Sequence, residues 1–448
     1  MDDYYKPGKV CRQLLKPWYQ QQKQAMMHAY ISRTSKQIMR KLLFGTMILA
    51  TIWGCSSQQK IKGSSSVAKA ELPPPYATPS VRNNSKTIGW PEGKTPVVPE
   101  GFTISRFADG LNNPRWIYVA DNGDVFVAEA RTGKNPANRI TLFRDTNKDG
   151  KPDVRETFLN NLNRPMGMLI LGNTFYVGNT DGVYQFPYKP GETKITAEGK
   201  KILDVPSLGY NNHWTRNIIA NRAGTKIYVS VGSGSNNAEN GIDKEINRAN
   251  ILEINPDGSG FRVFANGLRN PVGMDWQPGT NVLWTAVNER DNLGDNLVPD
   301  YMTSVKEGGF YGWPYAYFGA NEDPRLAGQR PDLVAKTIIP DVNLGAHTAS
   351  LGLAFYTHTA FPAKYKNGAF IGQHGSWNRS AFSGYKVVFV PFTNGKPGVP
   401  EDFVTGFIAN EANNEVYGRP VGVATLPDGS LLVADDTGNI VWRVSVKK

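Results

Sequence analysis

The stretch "GRPVGVATLPDGSLLVADDTGNIVWRV", residues 418–444, decides the fold class. Apolar runs at 421–426 and 431–434 flank the pair Asp428-Gly429, and a second turn at Gly438-Asn439 follows. Apolar runs joined by Asp-Gly or similar pairs are typical of β-hairpins, because these residues adopt the backbone angles of tight turns. The stretch therefore predicts a β-hairpin that is preceded by a polar segment containing proline.

Five further stretches repeat this pattern. They begin at Leu111, Leu162, His213, Leu268 and Thr348. The spacing between copies leaves room for four strands and their loops in each unit. No long helical pattern competes. The sequence therefore predicts an all-β fold, a six-bladed β-propeller of four-stranded antiparallel blades.

The N-terminal region differs in charge from the rest of the chain. Residues 1–55 contain nine of the 50 Lys and Arg residues and two of the 39 Asp and Glu residues, so 41 basic and 37 acidic residues remain after them. Most of the net charge of +11 therefore lies in this leader. A nearly neutral body argues against a nucleic-acid partner.

The leader ends in a segment typical of an export signal. From Met39 it has a basic start, then an apolar run, then Gly54 before Cys55. We expect residues 1–55 to be a leader with a lipoprotein-type signal peptide, acylated at Cys55; a plain signal anchor is the alternative. Residues 56–91, rich in Ser, Lys and Pro, are predicted to be a flexible tether, and residues 92–448 the propeller domain. The protein is then exported, lipid-anchored in a bacterial membrane and facing the periplasm or cell surface.

Propellers place their sites where the segments entering the innermost strands converge. In the six repeats these segments carry Arg115, Arg164, His213 with Arg216, Arg269 with Asn270, His347 with Thr348, and Arg419. Their recurrence predicts an anionic ligand beside a histidine. The alternative is that these arginines merely pair with neighbouring carboxylates.

A separate loop, "DTNKDGKPDVRE" at 145–156, has oxygen-bearing residues at the spacing of an EF-hand calcium loop. These residues are Asp145, Asn147, Asp149, Asp153 and Glu156. No amphipathic helices flank the loop, so the prediction is a turn between strands that binds structural calcium. The alternative is an Asx-rich turn with solvated carboxylates.

Several motifs give the chain a resemblance to a known family. "GLRNPVGM" at 267–274 followed by "EGGFYGWP" at 307–314 resembles the quinoprotein glucose/sorbosone dehydrogenases. The stretches "NERDNLGDNLVPDY" at 288–301, "HGSWNR" at 374–379 and "VADDTGN" at 433–439 are similar to the sorbosone dehydrogenase-like branch. The resemblance, which runs from about Gly101 to Val446, implies a six-bladed propeller that uses pyrroloquinoline quinone (PQQ) and calcium.

The resemblance also implies residue roles. His213 occupies the place of the general base, and Arg269 that of the arginine beside the quinone carbonyl that receives hydride. Asn270, Asn378 or Arg379, Arg419 and, less closely, Thr348 match cofactor contacts. Backbone carbonyls of Asn288, Glu289, Arg290 and Asp291 are implied near the cofactor calcium.

The chain departs from the glucose-oxidising pattern beside the base. Asn212 and Ser233 stand where those members have Asp, so carboxylate assistance to His213 is expected to be absent or to come from Asp291 or Glu289. Glucose is therefore a doubtful substrate. The spacing of His347, His358 and His374 matches no zinc signature, and the first and last are expected to line the substrate cavity. Trp377 either stacks on a sugar ring or packs within the fold.

Together these features predict an enzyme, a PQQ- and calcium-dependent dehydrogenase. It would oxidise an aldose, a sorbosone-like sugar or a polyol and pass electrons to a quinone, cytochrome or dye instead of NAD, because no dinucleotide-binding fingerprint is present. One alternative is a calcium-dependent lactonase, which the arginine-rich channel disfavours. The other is a non-catalytic carbohydrate-binding propeller.

Overall fold

A computed structural model of the protein describes residues 71–132, 134–207 and 213–447, and the chain is built almost entirely of β-strands there. The predicted leader, acylation at Cys55 and the first part of the predicted tether lie outside the described residues, as does Asn212. None of the helices in the described part is long and apolar enough to cross a membrane.

The strands are short, as the alternating apolar runs between turn residues predict. In chain order they are β1 Lys86–Thr87, β2 Phe102–Ala108, β3 Pro114–Val119, β4 Val125–Glu129, β5 Arg139–Arg144, β6 Val154–Leu159, β7 Met168–Leu171, β8 Thr174–Asn179, β9 Gly182–Pro187, β10 Lys200–Asp204, β11 Arg216–Ala220, β12 Ile227–Val231, β13 Asn250–Ile254, β14 Arg262–Asn266, β15 Pro271–Trp276 and β16 Leu283–Val287.

The second half continues in the same way. It contains β17 Pro299–Ser304, β18 Ala316–Tyr317, β19 Asn321–Glu322, β20 Val342–Ala346, β21 Ser350–Phe355, β22 Ala369–Gln373, β23 Lys386–Val390, β24 Phe392–Thr393, β25 Lys396–Pro397, β26 Glu401–Val404, β27 Ile408–Asn410, β28 Glu415–Val416, β29 Pro420–Thr425, β30 Leu431–Asp435 and β31 Ile440–Val446. One short helix, α1 Pro331–Val334, and the 3₁₀ turns Ile242–Glu245, Pro324–Leu326, Ala363–Tyr365 and Glu411–Asn413 lie in loops.

Within the described residues these strands form six four-stranded antiparallel sheets. The first five sheets are β3–β6, β7–β10, β11–β14, then β15, β16, β17 and β20, then β21, β22, β23 and β26. The sixth consists of β29, β30 and β31, and the N-terminal strand β2 completes it by pairing with β31. Residues from both ends of the described chain therefore share one sheet.

Each sheet buries one apolar face against the next sheet. Phe126 of the first sheet packs with Phe175 of the second, and this cluster is one of six such clusters among the described residues. The sixth sheet in turn packs on the first, since Val441 and Val127 belong to one apolar cluster. Stacked β-sheets pack through interdigitating side chains, so the apolar faces predicted from the repeats are all covered.

Glycines let the first strands of neighbouring sheets approach each other. A Cβ atom added to Gly352 in β21 would lie 2.1 Å from the carbonyl oxygen of Val421 in β29. A Cβ on Gly167, just before β7, would lie 2.4 Å from the amide nitrogen of Ile218 in β11. The repeated glycine in these entry strands therefore serves backbone packing at the centre of the molecule.

The segment before β2 differs from its prediction. Strand β1 pairs in parallel with β28, and the indole Nε1 of Trp90 donates a hydrogen bond of 2.6 Å to Asp435. The prediction of a flexible tether up to residue 91 is therefore wrong for its described part. The polar composition indicates that this segment forms no core of its own. It does not show that the segment binds to the sheets through backbone and side-chain hydrogen bonds.

Candidate functional site

The loops at one end of the first strands enclose a cavity of about 450 Å³. They are the segments that enter β3, β11, β15, β21 and β29, and the segments that follow β4, β16 and β22. The lining residues are Arg115, Thr132, His213, Trp214, Thr215, Arg269, Asn270, Asn288, Asp291, His347, Ala349, Leu351, His374, Gly375, Trp377 and Arg419. Five of the six predicted entry segments thus meet at one site although they are far apart in the sequence.

His213 is a half-buried residue of the cavity wall. Its Nδ1 lies 2.9 Å from the carbonyl oxygen of Ser233, which fixes Nδ1 as the protonated nitrogen and leaves Nε2 as an acceptor. Burial and the nearby Arg269 cation hold the pKa of His213 well below its usual range. The imidazole is therefore neutral at pH 7 and able to accept a proton.

Arg269 is buried and held by acceptors on several sides. Its Nη1 donates to the carbonyl oxygens of Asn288 and Glu289, at 3.2 and 2.5 Å, and its Nη2 donates to Asn236 Oδ1 at 2.9 Å. Nη2 also lies 3.3 Å from a carboxylate oxygen of Asp291. Burial lowers the pKa of Arg269, while Asp291 raises it. These contacts leave the planar group little freedom to turn.

A second histidine in the cavity has a carboxylate partner. His374 Nε2 lies 2.9 Å from Asp436 Oδ1, and Arg115 Nη1 donates 2.6 Å to the other carboxylate oxygen. Burial and the Arg419 cation lower the pKa of His374 to about 4. Arg419 itself donates to the carbonyl oxygens of His374 and Gly375. The ring is therefore neutral at pH 7.

The third histidine is also carboxylate-supported. His347 Nδ1 lies 3.3 Å from Asp291 Oδ1, and its Nε2 lies 2.9 Å from the carbonyl oxygen of Gly294. Burial lowers the pKa of His347, but the Asp291 carboxylate more than offsets this and the net shift is upward. Of the two carboxylates expected to assist His213, Asp291 supports His347 and Glu289 pairs with Arg290. The Nδ1 of His213 instead faces the hydroxyl and carbonyl oxygens of Ser233.

Two buried polar atoms at the cavity lack a partner among the described residues. They are Oδ1 of Asn270 and Nε of Arg115. Because a buried polar atom left without a hydrogen bond costs free energy, such atoms at a cavity wall point to a ligand or water that satisfies them. With three arginines in the lining, the site suits an anion that carries several acceptor oxygens.

Several predicted contacts lie outside the cavity. Arg216 donates to the carbonyl oxygens of Pro206, His213 and Thr215, and the hydroxyl of Thr348 donates to Asp300. Arg164, which enters the second sheet, is not among the lining residues. Arg216 and Thr348 are buried and hydrogen-bonded to neighbouring loops, so contact of these three residues with a ligand stays a prediction.

The pair Asn378 and Arg379 is likewise turned away from the cavity. Asn378 Nδ2 donates to the carbonyl oxygen of Val81, and Arg379 donates to Asp295 and Asn296. Their neighbour Trp377 lines the cavity in their place. Of this motif, His374 and Trp377 line the cavity, while cofactor contact by Asn378 or Arg379 stays a prediction.

The residues of the two predicted calcium sites contact other protein groups, and calcium binding by either stays a prediction. Among the described residues no group of three or more His, Cys, Asp or Glu is placed to hold a metal. The carbonyl oxygens of Asn288 and Glu289 accept hydrogen bonds from the Arg269 cation, and that of Asp291 accepts from Asn236 and Arg325. Arg290 is fully buried between Glu289 and Asp323. The Arg269 guanidinium therefore shares the carbonyl oxygens of Asn288 and Glu289, and calcium binding there stays a prediction.

The loop at 145–156 is held by its own hydrogen bonds. Asp153 accepts from the amides of Thr146 and Asn147, Asp145 accepts from those of Asp149 and Gly150, and Asp149 accepts from Lys151. Glu156 is exposed on β6. These hydrogen bonds are typical of an Asx-rich turn, and structural calcium at this loop stays a prediction.

Sequence reasoning missed Asp436, Arg248 and Trp214. Asp436 directly follows Asp435 at the end of β30, and its carboxylate accepts a hydrogen bond from the cavity residue Arg115. Arg248 is buried and donates to the carbonyl oxygens of His213 and Ser233, and so fixes the loop of the base. Trp214 lies beneath the Arg115 guanidinium. Only the doubled aspartate carried a signal that the sequence could have revealed.

Comparisons with known proteins agree on one family. A family model described as TrAA12-like matches residues 96–307 and 332–446. A protein of Borreliella burgdorferi described as uncharacterized is 31% identical over 366 residues, which cover 78% of this chain and 91% of that protein. Aldose sugar dehydrogenase YliI of Escherichia coli is 27% identical over 272 residues, 56% of this chain and 65% of its own length.

A pyrroloquinoline quinone-dependent pyranose dehydrogenase of Coprinopsis cinerea is 24% identical over 410 residues, which cover 78% of this chain and 54% of that enzyme. The solved holo form of the PQQ domain of the Coprinopsis pyranose dehydrogenase has a TM-score of 0.66 and 22% identity, covering 80% of this chain and 99% of that domain. The fold is therefore shared with that domain, while the chain spans little more than half of the whole fungal enzyme.

Proposed function

This chain belongs to the TrAA12-like family, and on that premise we propose that it is a PQQ-dependent dehydrogenase that oxidises an aldose, a sorbosone-like sugar or a polyol. The observation that carries this proposal is the joint placement of His213 and Arg269 in the lining of one cavity. The names of the relatives from Escherichia coli and Coprinopsis cinerea support a sugar as substrate.

We propose that the six sheets are the blades of one β-propeller. Support comes from the order of packing, in which each sheet covers the next and the sixth covers the first. The shared sixth sheet, with β2 paired to β31, is how a ring made from one chain closes. The cavity then lies at one mouth of the central channel.

The residues present fit PQQ, a planar quinone that carries three carboxylates. Arg115 and Arg419 would hold its carboxylates, and Asn270, whose Oδ1 lacks a partner among the described residues, would meet its polar edge. When bound there, PQQ would supply a hydride acceptor for the substrate carbon, chemistry that no protein side chain supplies. A cavity of about 450 Å³ is within the ordinary range for a bound cofactor with a small substrate.

His213 is the proposed proton acceptor. Oxidation of a hydroxyl to a carbonyl releases the hydroxyl proton as hydride leaves the same carbon, so a base must stand beside that oxygen. The bond from Nδ1–H to Ser233 leaves the Nε2 lone pair for this proton, and the lowered pKa keeps the ring neutral. Without a carboxylate partner His213 is a weaker base than a His-Asp pair, which favours the more acidic hydroxyls of hemiacetals and hydrated aldehydes.

Arg269 is the proposed electrostatic stabiliser. Its guanidinium is already oriented by Asn236, Asn288 and Glu289, so it needs no reorganisation when negative charge develops nearby. The same orientation means that Arg269 competes with calcium for the carbonyls of 288–291. Calcium dependence stays a prediction, and no step is assigned to the ion.

The remaining parts of the proposal concern partners and location. Electrons would leave to a quinone, a cytochrome or an artificial dye, because the cavity opens to solvent at Trp377 and a small acceptor can approach there. Export and a lipid anchor at Cys55 follow from the leader sequence. Acylation would tether the site to a membrane surface.

Reconstitution tests the proposed function. Apo-protein is titrated with PQQ, with and without calcium, and dye reduction is followed with a panel of aldoses, ketoaldehydes and polyols. We expect PQQ to bind at a 1:1 ratio and at least one sugar to reduce the dye. Failure to bind PQQ overturns the proposal, and binding without turnover on the whole panel supports the non-catalytic carbohydrate-binding alternative instead.

A further inference from the structure

An N-terminal segment of the described chain contacts two loops beside the cavity. We call residues 76–83 the strap. One loop, Leu293–Asp295, follows the cavity residue Asp291, and the other runs from Trp377 to Ser380. The two loops also contact each other, since the amide of Asn292 donates to Asn378 Oδ1 at 2.8 Å.

The strap holds the first loop through its backbone and two hydroxyls. The amide of Tyr76 donates to the carbonyl oxygen of Leu293 at 2.8 Å, Thr78 Oγ1 accepts from the amide of Asp295 at 2.7 Å, and Ser80 Oγ accepts from that of Gly294 at 3.2 Å. Gly294 has φ +105°, and a Cβ there would lie 2.9 Å from the Thr78 carbonyl oxygen. The loop and the strap are therefore in close backbone contact.

The strap holds the second loop just as closely. The amide of Asn83 donates to the carbonyl oxygen of Trp377 at 2.7 Å, and Asn378 Nδ2 donates to that of Val81 at 2.8 Å. The Arg82 guanidinium carbon lies 5.8 Å from the centre of the Trp377 ring, the distance of a cation–π contact. Backbone and side chain of the strap thus fix both the position and the tilt of this tryptophan.

One loop lines the cavity, and the other contacts a residue that does. Trp377 is 40% exposed, an unusual degree for so large an apolar ring, and it lines the cavity. In the other loop the carbonyl oxygen of Gly294 accepts from His347, which also lines the cavity. The strap is therefore placed to set the geometry of the cavity although it contributes no lining residue.

We propose that the strap is a positioning element of the active site: Arg82 and its backbone neighbours hold the Trp377 ring as the wall on which the apolar face of a sugar ring packs. Aromatic faces suit the C–H face of a pyranose because both are apolar and flat. The identity of the ligand as a sugar rests on the proposed function. The contacts by which the strap holds Trp377 and Gly294 are independent of the proposed function.

Steady-state kinetics of the holoenzyme test the effect on substrate. Arg82→Ala is expected to raise KM for the sugar about two- to fivefold with kcat and PQQ affinity unchanged, because a cation–π contact of this exposure is lost. Arg82→Lys should restore KM in large part. Arg106→Ala is the matched control, since Arg106 lies 5.8 Å from the Trp442 ring and outside the cavity. An unchanged KM for Arg82→Ala, or an equal rise in the control, overturns the proposal.

Hydrogen exchange tests the strap without any turnover. In the double variant Thr78→Val, Ser80→Ala, the amides of Gly294 and Asp295 lose their acceptors and should exchange at least tenfold faster, together with peptides that cover 376–381. Peptides of β12 should not change. Unaltered exchange at 293–295 and 376–381 contradicts the proposal. If the wild-type protein neither binds PQQ nor oxidises a sugar, the proposed function fails alone and this exchange experiment still decides the role of the strap.

Discussion

The chemistry of the site depends on which nitrogen of His213 is free. Ser233 fixes Nδ1, burial and Arg269 keep the ring neutral, and Arg248 holds the loop backbone beneath it. The sequence identified His213 and Arg269 through their place in the repeat. It could not assign the carboxylates Asp291 and Asp436 to their histidines, because those pairs form between residues that are 56 and 62 positions apart.

Replacing the base tests its role. His213→Ala should lower kcat about 10²- to 10⁴-fold while the dissociation constant of PQQ changes less than threefold, because the imidazole takes a proton and holds no cofactor carboxylate. His358→Ala is the control, since His358 packs against Tyr356 away from the cavity. Single-turnover reduction and PQQ titration measure the two effects. Wild-type turnover in His213→Ala would show that another group accepts the proton, and His374 would be the next candidate to replace.

The pH profile follows from the sign of the pKa shift. A lowered pKa means that His213 stays neutral, and therefore active, as pH falls through 6.5, the usual value for histidine. We expect kcat/KM to be flat from pH 8 to 6 and to fall only at more acidic pH. Stopped-flow or steady-state rates across pH 4–9 measure it. An acid limb with an apparent pKa at or above 6.5 contradicts a neutral, buried base.

Among the elements, the first strands of the sheets explain why the sequence repeats share one pattern. The hairpins and the strand order within each repeat were predictable from alternating apolar residues and turn pairs. Four of the six first strands have a glycine in or just before them: Gly167, Gly273, Gly352 and Gly422. The sequence could not show the reason for these glycines, because the clash that each avoids is with a strand of another sheet. The loop after β4, which brings Thr132 to the cavity, was not predicted, since loops lack periodicity. The loops after β16 and β22 were indicated by their motifs and not by a periodic pattern.

The close contact between β21 and β29 can be tested directly. Gly352→Ala places a methyl group 2.1 Å from the Val421 carbonyl oxygen, so the sheets must separate and the free energy of unfolding should fall by about 1–3 kcal/mol. Gly279→Ala, in open space at φ +74°, should lower the free energy of unfolding only through backbone strain, by about 1 kcal/mol. Urea denaturation compares the two. Equal losses would show that the strands have room to spare at Gly352.

At the scale of the molecule, the sixth sheet joins residues from both ends of the described chain. Trp442 in β31 is fully buried in the cluster between the fifth and sixth sheets, and Trp90 packs edge-on against it. Sequence reasoning placed the domain start at residue 92 and so left Trp90 in the tether. A lone tryptophan in a polar segment was the available signal.

Replacement of Trp442 should lower the stability of all six sheets together, in one cooperative unfolding transition. Trp442→Ala is expected to lower the free energy of unfolding by about 3–5 kcal/mol, because a large buried ring is replaced by a cavity. Circular dichroism and tryptophan fluorescence should shift to the same lower denaturant midpoint. Val446→Ala, at the exposed end of the same strand, should shift neither. Two separate transitions in Trp442→Ala would contradict a single cooperative unit.

The central claim is that sequence-distant loops gather an imidazole and several guanidinium groups around one bound anion. A crystal structure of the protein with PQQ is the most direct measurement. The account predicts PQQ in the cavity, with its carboxylates on Arg115 and Arg419, Arg269 against a quinone oxygen and His213 Nε2 facing the space beside it. PQQ bound at another surface, or a cavity in which His213 and Arg269 contact different ligands, would contradict it.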